Sequence, residues 1–246
     1  MSTRHPSDLV VDDEIDICNN LSDILTAFGY DVETATNGFA ALDLVQRRPF
    51  DVALLDLKMP GMDGLTLYRK LKKLRAGTVA MLVTAYAGGD TTREAIDAGA
   101  WQVLPKPVDV GRLLGEVERV VGQPTLLVVD DDADLCENLW QILRQKDFRV
   151  CLAHSHDEAT RKLQENPYRI ILLDLKLPGG NGVGLMETIR ESNPEAKIVV
   201  ITGHRSELEE TIDRVLSEGA EGVCYKPFDV NRLLEMIQHA AEQNRT

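Results

Sequence analysis

Aromatic side chains are scarce. They make up 5% of the chain, so any core must be built mainly from Leu, Val, Ile and Ala. Cysteine is scarce too. Cys18, Cys136, Cys151 and Cys224 are the four present, and none forms a Cys-x-x-Cys pair. They read as buried or half-buried thiols in a reducing compartment. No apolar run approaches the ~20 residues that a membrane span needs. The start, Met1-Ser2-Thr3-Arg4-His5-Pro6, lacks the apolar stretch of a secretory signal. The expected location is the cytoplasm. Positive charge is also short: 27 Lys+Arg face 40 Asp+Glu, a net charge of −13. Split at Gly122, the balance is 13 against 18 in the first half and 14 against 22 in the second. Both halves are acidic, and no basic arm or stripe stands out. Nucleic acid and anionic membrane are therefore not expected partners.

What is present is a repeat. Leu9-Val10-Val11-Asp12-Asp13 returns as Leu127-Val128-Val129-Asp130-Asp131, and Leu54-Leu55-Asp56-Leu57-Lys58 returns as Leu172-Leu173-Asp174-Leu175-Lys176. Val83-Thr84 returns as Ile201-Thr202, all at an offset of 118 residues. Lys106-Pro107 returns as Lys226-Pro227 at an offset of 120, so the second copy has two extra residues after Thr202. A period of this length is a duplicated domain and not a solenoid. At 246 residues the chain holds two small domains. The expected boundaries are 1–121 for the first, 122–124 (Gly122-Gln123-Pro124) for a short joint, and 125–246 for the second.

Each copy alternates short apolar runs with longer helical patterns. In the first, strands are expected near 8–12, 31–35, 51–56, 79–84 and 101–104, with helices over 15–28, 37–48, 64–74, 90–98 and 109–121. Ile17, Leu21, Ile24, Leu25 and Phe28 recur every three or four residues, which predicts a helix with one buried face. In the second copy strands are expected near 125–130, 148–152, 169–174, 197–202 and 222–225. Five such units predict an α/β domain: a parallel sheet covered by helices on both faces.

In an open α/β sheet, ligands bind beyond the carboxyl ends of the strands. The polar residues at those ends are Asp12, Asp13, Asp56, Thr84 and Lys106, and again Asp130, Asp131, Asp174, Thr202 and Lys226. Three carboxylates held close together need a proton or a metal to relieve them. An all-oxygen, partly hydrated site suits Mg²⁺. Asp56 can then act as a carboxylate nucleophile at phosphorus, with the Lys106 ammonium and Thr84 hydroxyl placed to meet the charge on the transferring group.

The ordered set resembles the receiver domains of two-component response regulators, over nearly the whole chain. The resemblance rests on the acidic pair after the first strand, Asp-Leu-Lys-Met-Pro-Gly-Met-Asp-Gly at 56–64, Thr-Ala at 84–85 and Lys-Pro at 106–107. The second copy carries Asp-Leu-Lys-Leu-Pro-Gly-Gly-Asn-Gly at 174–182, Thr-Gly at 202–203 and Lys-Pro at 226–227. It implies two flavodoxin-like, doubly wound (βα)5 domains, each with strand order 2-1-3-4-5. It implies aspartyl phosphate at Asp56 and Asp174. It implies Mg²⁺ held by Asp13, Asp56 and the carbonyl of Lys58, with Asp12 assisting through water, and by Asp131, Asp174, the carbonyl of Lys176 and Asp130. It also implies cis bonds before Pro107 and Pro227.

Two departures stand out. Many receivers have Tyr or Phe three residues before the lysine; here Val103 and Val223 stand there, which removes an aromatic switch. Two residues after each phosphoacceptor is a lysine, Lys58 or Lys176, whose long cationic chain predicts slow self-dephosphorylation. His154-Ser155-His156 falls at a loop-to-helix junction and completes no zinc set. His204 reads as a rim residue. Gly88-Gly89 and Gly179-Gly180 are loops, and neither continues into a nucleotide-binding P-loop. Trp101 and Trp140 read as packing residues.

After Lys226 only 20 residues remain, enough for one helix from Asp229 to about Gln243. No output domain is expected within that length, so the signal is expected to leave by protein–protein contact. The expected partners are a histidine kinase or histidine phosphotransfer protein and a downstream protein target. The face of the fourth helix, fifth strand and fifth helix is the candidate homodimer surface. The alternative is a scaffold with one or both receivers degenerate. An aspartate-nucleophile phosphatase is disfavoured, because Lys58 and Lys176 stand where a second Asp would serve as acid.

Overall fold

The computed structural model describes residues 5–85, 90–203 and 209–243. The chain divides into two units, Met1–Gln123 and Pro124–Thr246. The first runs β1 (Ser7–Val11), α1 (Ile15–Ala27), β2 (Asp31–Ala35), α2 (Gly38–Arg47), β3 (Val52–Asp56), α3 (Gly64–Leu74), β4 (Val79–Thr84), α4 (Asp90–Asp97), β5 (Gln102–Pro105) and α5 (Val110–Val121). The second runs β6 (Thr125–Val129), α6 (Ala133–Arg144), β7 (Arg149–Ala153), α7 (His156–Glu165), β8 (Ile170–Asp174), β9 (Lys176–Leu177), β10 (Gly180–Asn181), α8 (Gly182–Ser192), β11 (Lys197–Thr202), α9 (Glu209–Ser217), β12 (Gly222–Tyr225) and α10 (Val230–Gln243). The sheets have the orders β2-β1-β3-β4-β5 and β7-β6-β8-β11-β12, with every neighbour parallel. Both are doubly wound α/β sheets of order 2-1-3-4-5, as the resemblance implies.

The sequence alternation builds two cores per sheet. Successive strand side chains point to opposite faces. In the first unit Leu9, Val11, Ala53, Leu55, Ala80 and Leu82 pack with Val45 of α2, Leu67 and Leu71 of α3, and Ala95 of α4. Val10, Val52, Leu54, Val79 and Met81 face the other way, onto Leu21 and Leu25 of α1 and Leu113 and Val117 of α5. β1, β3 and β4 are buried along their whole lengths because helices cover both faces. Caps set the helix starts. The Asp63 side chain accepts from Thr66 N, Asp109 from Arg112 N, Asp132 from Leu135 N and Ser155 from Glu158 N.

Two expectations need correction. Phe28 does not join the buried face of α1; it is 62% exposed. The helix ends at Ala27, and Phe28 is its C-cap at φ −92°, ψ 6°, off the helical track. Cys18 fills the core in company with Leu21 and Leu25. The second concerns Gly179-Gly180, expected as a loop: Gly180 pairs in a short hairpin, β9–β10, which has no counterpart among the described residues of the first unit. Met62 of the first unit is 5% exposed and belongs to the core beside α2. Gly180 replaces it 118 residues on and has no side chain to anchor the loop, so the backbone pairs with Leu177 instead.

Gly88, Gly89 and His204 lie outside the described residues. Among the described residues, no helix is long and apolar enough to cross a membrane. In α10, Leu233 and Ile237 are buried, and Leu234 is half-buried. Trp140 is buried; Trp101 is half-buried, donating to Glu116 at 2.9 Å beneath the Arg119 guanidinium.

Candidate functional site

The carboxyl ends of β1, β3, β4 and β5 bring the five residues of the first set to one sheet edge. Asp12 follows β1, Asp56 ends β3, Thr84 ends β4 and Lys106 follows β5. Asp12, Asp56 and Thr84 are buried, and Asp13 is exposed. Lys106 Nζ lies 2.7 Å from Asp12 Oδ2 and 2.8 Å from Asp56 Oδ1. The second oxygen of each carboxylate accepts a backbone N–H: Asp12 Oδ1 from Glu14 at 3.0 Å and Asp56 Oδ2 from Lys58 at 3.1 Å. Lys106 is held in turn by its own N–H, which donates to the Thr84 carbonyl at 2.7 Å.

The second unit repeats the arrangement. Lys226 Nζ lies 2.6 Å from Asp130 Oδ2 and 2.7 Å from Asp174 Oδ2. Asp130 Oδ1 accepts from Asp132 N and Asp174 Oδ1 from Lys176 N, both at 3.0 Å. Lys226 N donates to the Thr202 carbonyl at 2.8 Å. Asp130, Asp174 and Thr202 are buried and Asp131 is exposed. The peptide bonds Lys106–Pro107 and Lys226–Pro227 are cis. Val103 and Val223 are half-buried against their cores, with no aromatic ring at either position.

The donor set fits a divalent cation. Asp12, Asp13 and Asp56, and likewise Asp130, Asp131 and Asp174, offer carboxylate oxygens all within 4.8 Å of one another. Three carboxylates and one lysine leave a charge of −2 in each pocket, which one divalent cation cancels. The exposed Asp13 and Asp131 give an ion its entry from solvent. Among the described residues, His154 and His156 join no such cluster. His154 N donates to Glu158 Oε2 at 2.9 Å, and Ser155 caps α7, so this is a helix-start motif. Burial would raise the Glu158 carboxyl, but the hydrogen bonds from His154 N–H and Lys162 outweigh it and hold it below its usual range.

Burial pushes the Asp56 carboxyl above its ordinary value, against the lowering effect of Lys106. Burial raises Asp130 in the same way, against Lys226. Burial alone would lower Lys106 and Lys226, yet their hydrogen bonds to the two carboxylates raise both, so both stay charged. A raised folded-state value favours the protonated carboxyl. Its stabilisation is complete at low pH and is lost as pH rises through that value. Protons and a divalent cation therefore compete for these oxygens. Mg²⁺ affinity is expected to fall between pH 8 and pH 5 by more than the roughly 10% protonation an aspartate of ordinary pKa would undergo. Titration calorimetry at the two pH values measures it.

Two features were not among the sequence candidates. Cys18 Sγ–H donates to the Asp12 carbonyl at 3.3 Å, and Cys136 Sγ–H donates to the Asp130 carbonyl at 3.3 Å. Each thiol braces the turn that carries the acidic pair. Their matching places in the two copies were the available signal. Burial pushes the Cys136 thiol up to about 12, leaving roughly one thiolate in ten thousand at pH 8. In the native protein, iodoacetamide at pH 8 is expected to label half-buried Cys151 and spare Cys18, Cys136 and Cys224, which are buried. Peptide mass mapping before and after unfolding checks this. The second feature is glycine at the pocket floor. A Cβ on Gly64 would sit 2.2 Å from the Asp56 carbonyl oxygen, and one on Gly182 would sit 2.6 Å from that of Asp174.

The response regulator receiver domain model matches residues 9–118 and again 126–238. A response regulator receiver protein of Anaeromyxobacter sp. is 34% identical over 230 residues, covering 94% of this chain and 93% of that protein. The transcriptional regulatory protein ZraR of Escherichia coli O157:H7 is 34% identical over 125 residues, which is 51% of this chain and 28% of that one. The chain thus spans little more than a quarter of that regulator. Among solved structures, a CheY-like receiver domain protein from Methanospirillum hungatei aligns at 34% identity and a TM-score of 0.46, over 48% of this chain and 95% of that one.

Proposed function

Because this chain belongs to the response regulator receiver domain family, with two receiver domains in tandem that serve two-component signalling, we propose that it accepts phosphoryl groups on Asp56 and Asp174. The donor is a histidine kinase or a histidine phosphotransfer protein, and the signal passes on by contact with a downstream protein. The observation that carries the proposal is the bridging lysine. In both units one ammonium is shared between the strand-end carboxylate and the first of the acidic pair, at 2.6–2.8 Å.

That arrangement suits phosphoryl transfer, in which positioning and charge do most of the catalysis. Mg²⁺, when bound, supplies two positive charges that bring the acidic oxygens and the donor's phosphoryl group together. Asp12, Asp13, Asp56 and the Lys58 carbonyl would hold it in the first unit. Asp130, Asp131, Asp174 and the Lys176 carbonyl would do so in the second. Asp56 presents a carboxylate whose orientation is set from two sides, by Lys58 N–H and by Lys106. A carboxylate oxygen forms the new bond to phosphorus, and the bond from phosphorus to the donor imidazole nitrogen breaks. The imidazole leaves with that electron pair. Lys106 and the Thr84 hydroxyl meet the charge on the phosphoryl oxygens. Thr202 and Lys226 do the same for Asp174.

The receiver family is not a family of catalytic enzymes, and no turnover of an external substrate is proposed. With valine at 103 and 223, any conformational response would run through Thr84 and Thr202 rather than through an aromatic side chain at those two positions. Lys58 and Lys176 are exposed beside the phosphoacceptors, consistent with slow hydrolysis of the acyl phosphate. Profiling with purified phosphorylated kinases and phosphotransfer proteins tests the proposal. Label is expected to move to the wild type, to be reduced by Asp56→Asn and by Asp174→Asn, and to be abolished in the double variant. Steady release of phosphate from a phosphate ester, with no label retained, would instead make it a hydrolase.

A further inference from the structure

The duplication supplies an internal control: whatever both units need in order to fold, both units keep. The third helices fail that comparison. The second half of α3 carries Arg69, Lys70, Lys72 and Lys73, and Arg75 caps its end. Five of the 13 Lys+Arg before Gly122 thus fall within seven residues. A charge balance taken over the whole half averages this cluster away. The corresponding residues of α8 and its cap are Glu187, Thr188, Arg190, Glu191 and Asn193, a sum of −1 against +5. Leu74 of α3 is replaced there by Ser192.

The cations form one face. Arg69, Lys70 and Lys73 are exposed, and Leu74 is 42% exposed among them. Arg75 Nε donates to the Val45 carbonyl at 3.2 Å, which holds the end of α2 against the end of α3. Exposed Arg47, the last residue of α2, stands at that junction. Arg69 is paired with Glu94 at 2.6 Å. Among the described residues, no carboxylate pairs with Arg47, Lys70 or Lys73.

Cations do favour a helix C-terminus, but α8 makes the same turn with only Arg190. The remaining α3 cations bring a cost. Arg69 with Lys72 and Lys73, and Lys70 with Lys73, stand three or four residues apart, where like charges weaken a helix. The fold explains neither the cluster nor the exposed leucine beside it.

We propose that this face of α3, with the end of α2, is a docking surface for an acidic segment of a partner protein. Carboxylates of the partner would meet Lys70, Lys73 and Arg47, and an apolar side chain would cover Leu74. An apolar contact rimmed by charge is the anatomy of a protein interface. The −13 charge of the chain opposes a long polyanion such as nucleic acid. A short acidic segment feels chiefly the local cluster, since charges beyond roughly 8 Å are screened at physiological salt. α3 starts beside Asp56 and rises ~1.5 Å per residue, so its far end is some 15 Å from the phosphoacceptor. The second unit lacks the face, so one partner is taken per chain.

The test uses the full chain and a fluorescein-labelled 14-residue peptide of glutamate with leucine at every fourth position. Fluorescence anisotropy is expected to show binding that weakens as salt rises. Lys70→Glu with Lys73→Glu should weaken it at least tenfold, and the milder pair Lys70→Gln with Lys73→Gln at least threefold. Leu74→Ser should weaken it about threefold without changing the salt dependence. Lys146→Glu, an exposed change in the second unit, should change it less than twofold. Circular dichroism confirms that each variant is folded. The proposal is overturned if the wild type does not bind the peptide or if the α3 variants bind as well as wild type. Tighter wild-type binding to a 12-mer of thymidylate or to phosphatidylserine vesicles would overturn it too, by assigning the face to nucleic acid or membrane.

Discussion

Lys106→Met is expected to destabilise the first unit by about 2–3 kcal/mol at neutral pH without divalent cation. Asp12 and Asp56 share this one ammonium, at 2.7 and 2.8 Å. Without it, two buried carboxylates face each other with only a backbone N–H on one oxygen of each. The estimate is below the 3–5 kcal/mol typical of a fully buried broken pair because the Lys106 side chain is 21% exposed. The sign with pH is definite. Asp56 is already raised by burial, and loss of the lysine raises it further. The lost stability should therefore return as pH falls and the carboxyl takes up a proton. Urea unfolding at pH 7.5 and pH 5.5 measures both arms. Lys226→Met should behave alike, since Lys226 is 23% exposed and bridges buried Asp130 and Asp174 in the same way. Phosphorylation of the affected aspartate should slow by about 10²–10³-fold, the usual cost of losing one charge-stabilising donor. Unchanged stability with unchanged phosphorylation would show that the lysine is a spectator.

Gly64→Ala should be the more damaging of the two glycine changes at the pocket floors. The added Cβ would lie 2.2 Å from the Asp56 carbonyl oxygen and 3.0 Å from the Leu57 Cα, both backbone atoms with no rotamer to retreat into. Either α3 lifts from the sheet or the end of β3 moves. Overpacking of this kind costs about 1–3 kcal/mol, occasionally more. A shift of the nucleophile by 1 Å can slow a reaction about 10²-fold. Gly182→Ala should do less harm, because its closest contact is 2.6 Å. Chemical denaturation and phosphorylation rate together give the ranking Gly64→Ala, then Gly182→Ala, then wild type. Equal stability of all three would mean that the helix is free to slide, and the close approach would have no consequence.

These two residues mark how far the sequence could be read. Asp56, Thr84 and Lys106 were legible because each ends or follows an apolar strand, and parallel strands deliver their carboxyl ends to one edge. Repetition of the set removed most of the ambiguity of any single aspartate. Gly64 was visible as a letter of the motif but not as a contact, because closeness between a helix start and a strand end depends on tertiary packing. Cys18 and Cys136 were visible as matched positions, but a thiol's hydrogen bond to the Asp12 or Asp130 carbonyl leaves no pattern in composition. Phe28 misled because its spacing continues the α1 period while the backbone leaves the helix one residue earlier. The β9–β10 hairpin was hidden because losing one side chain, at Gly180, decides between anchoring and pairing. The basic face of α3 was lost in the summed charge of its half.

The most direct measurement is the amount of acid-labile phosphate taken up from acetyl phosphate, read by intact mass. With Mg²⁺ supplied, the wild type should acquire two phosphoryl groups, Asp56→Asn and Asp174→Asn one each, and the double variant none; chelation of the metal should abolish uptake in the first three. A wild type that stays unmodified, or a double variant that is modified as readily, would contradict the assignment of both strand-end aspartates as phosphoacceptors.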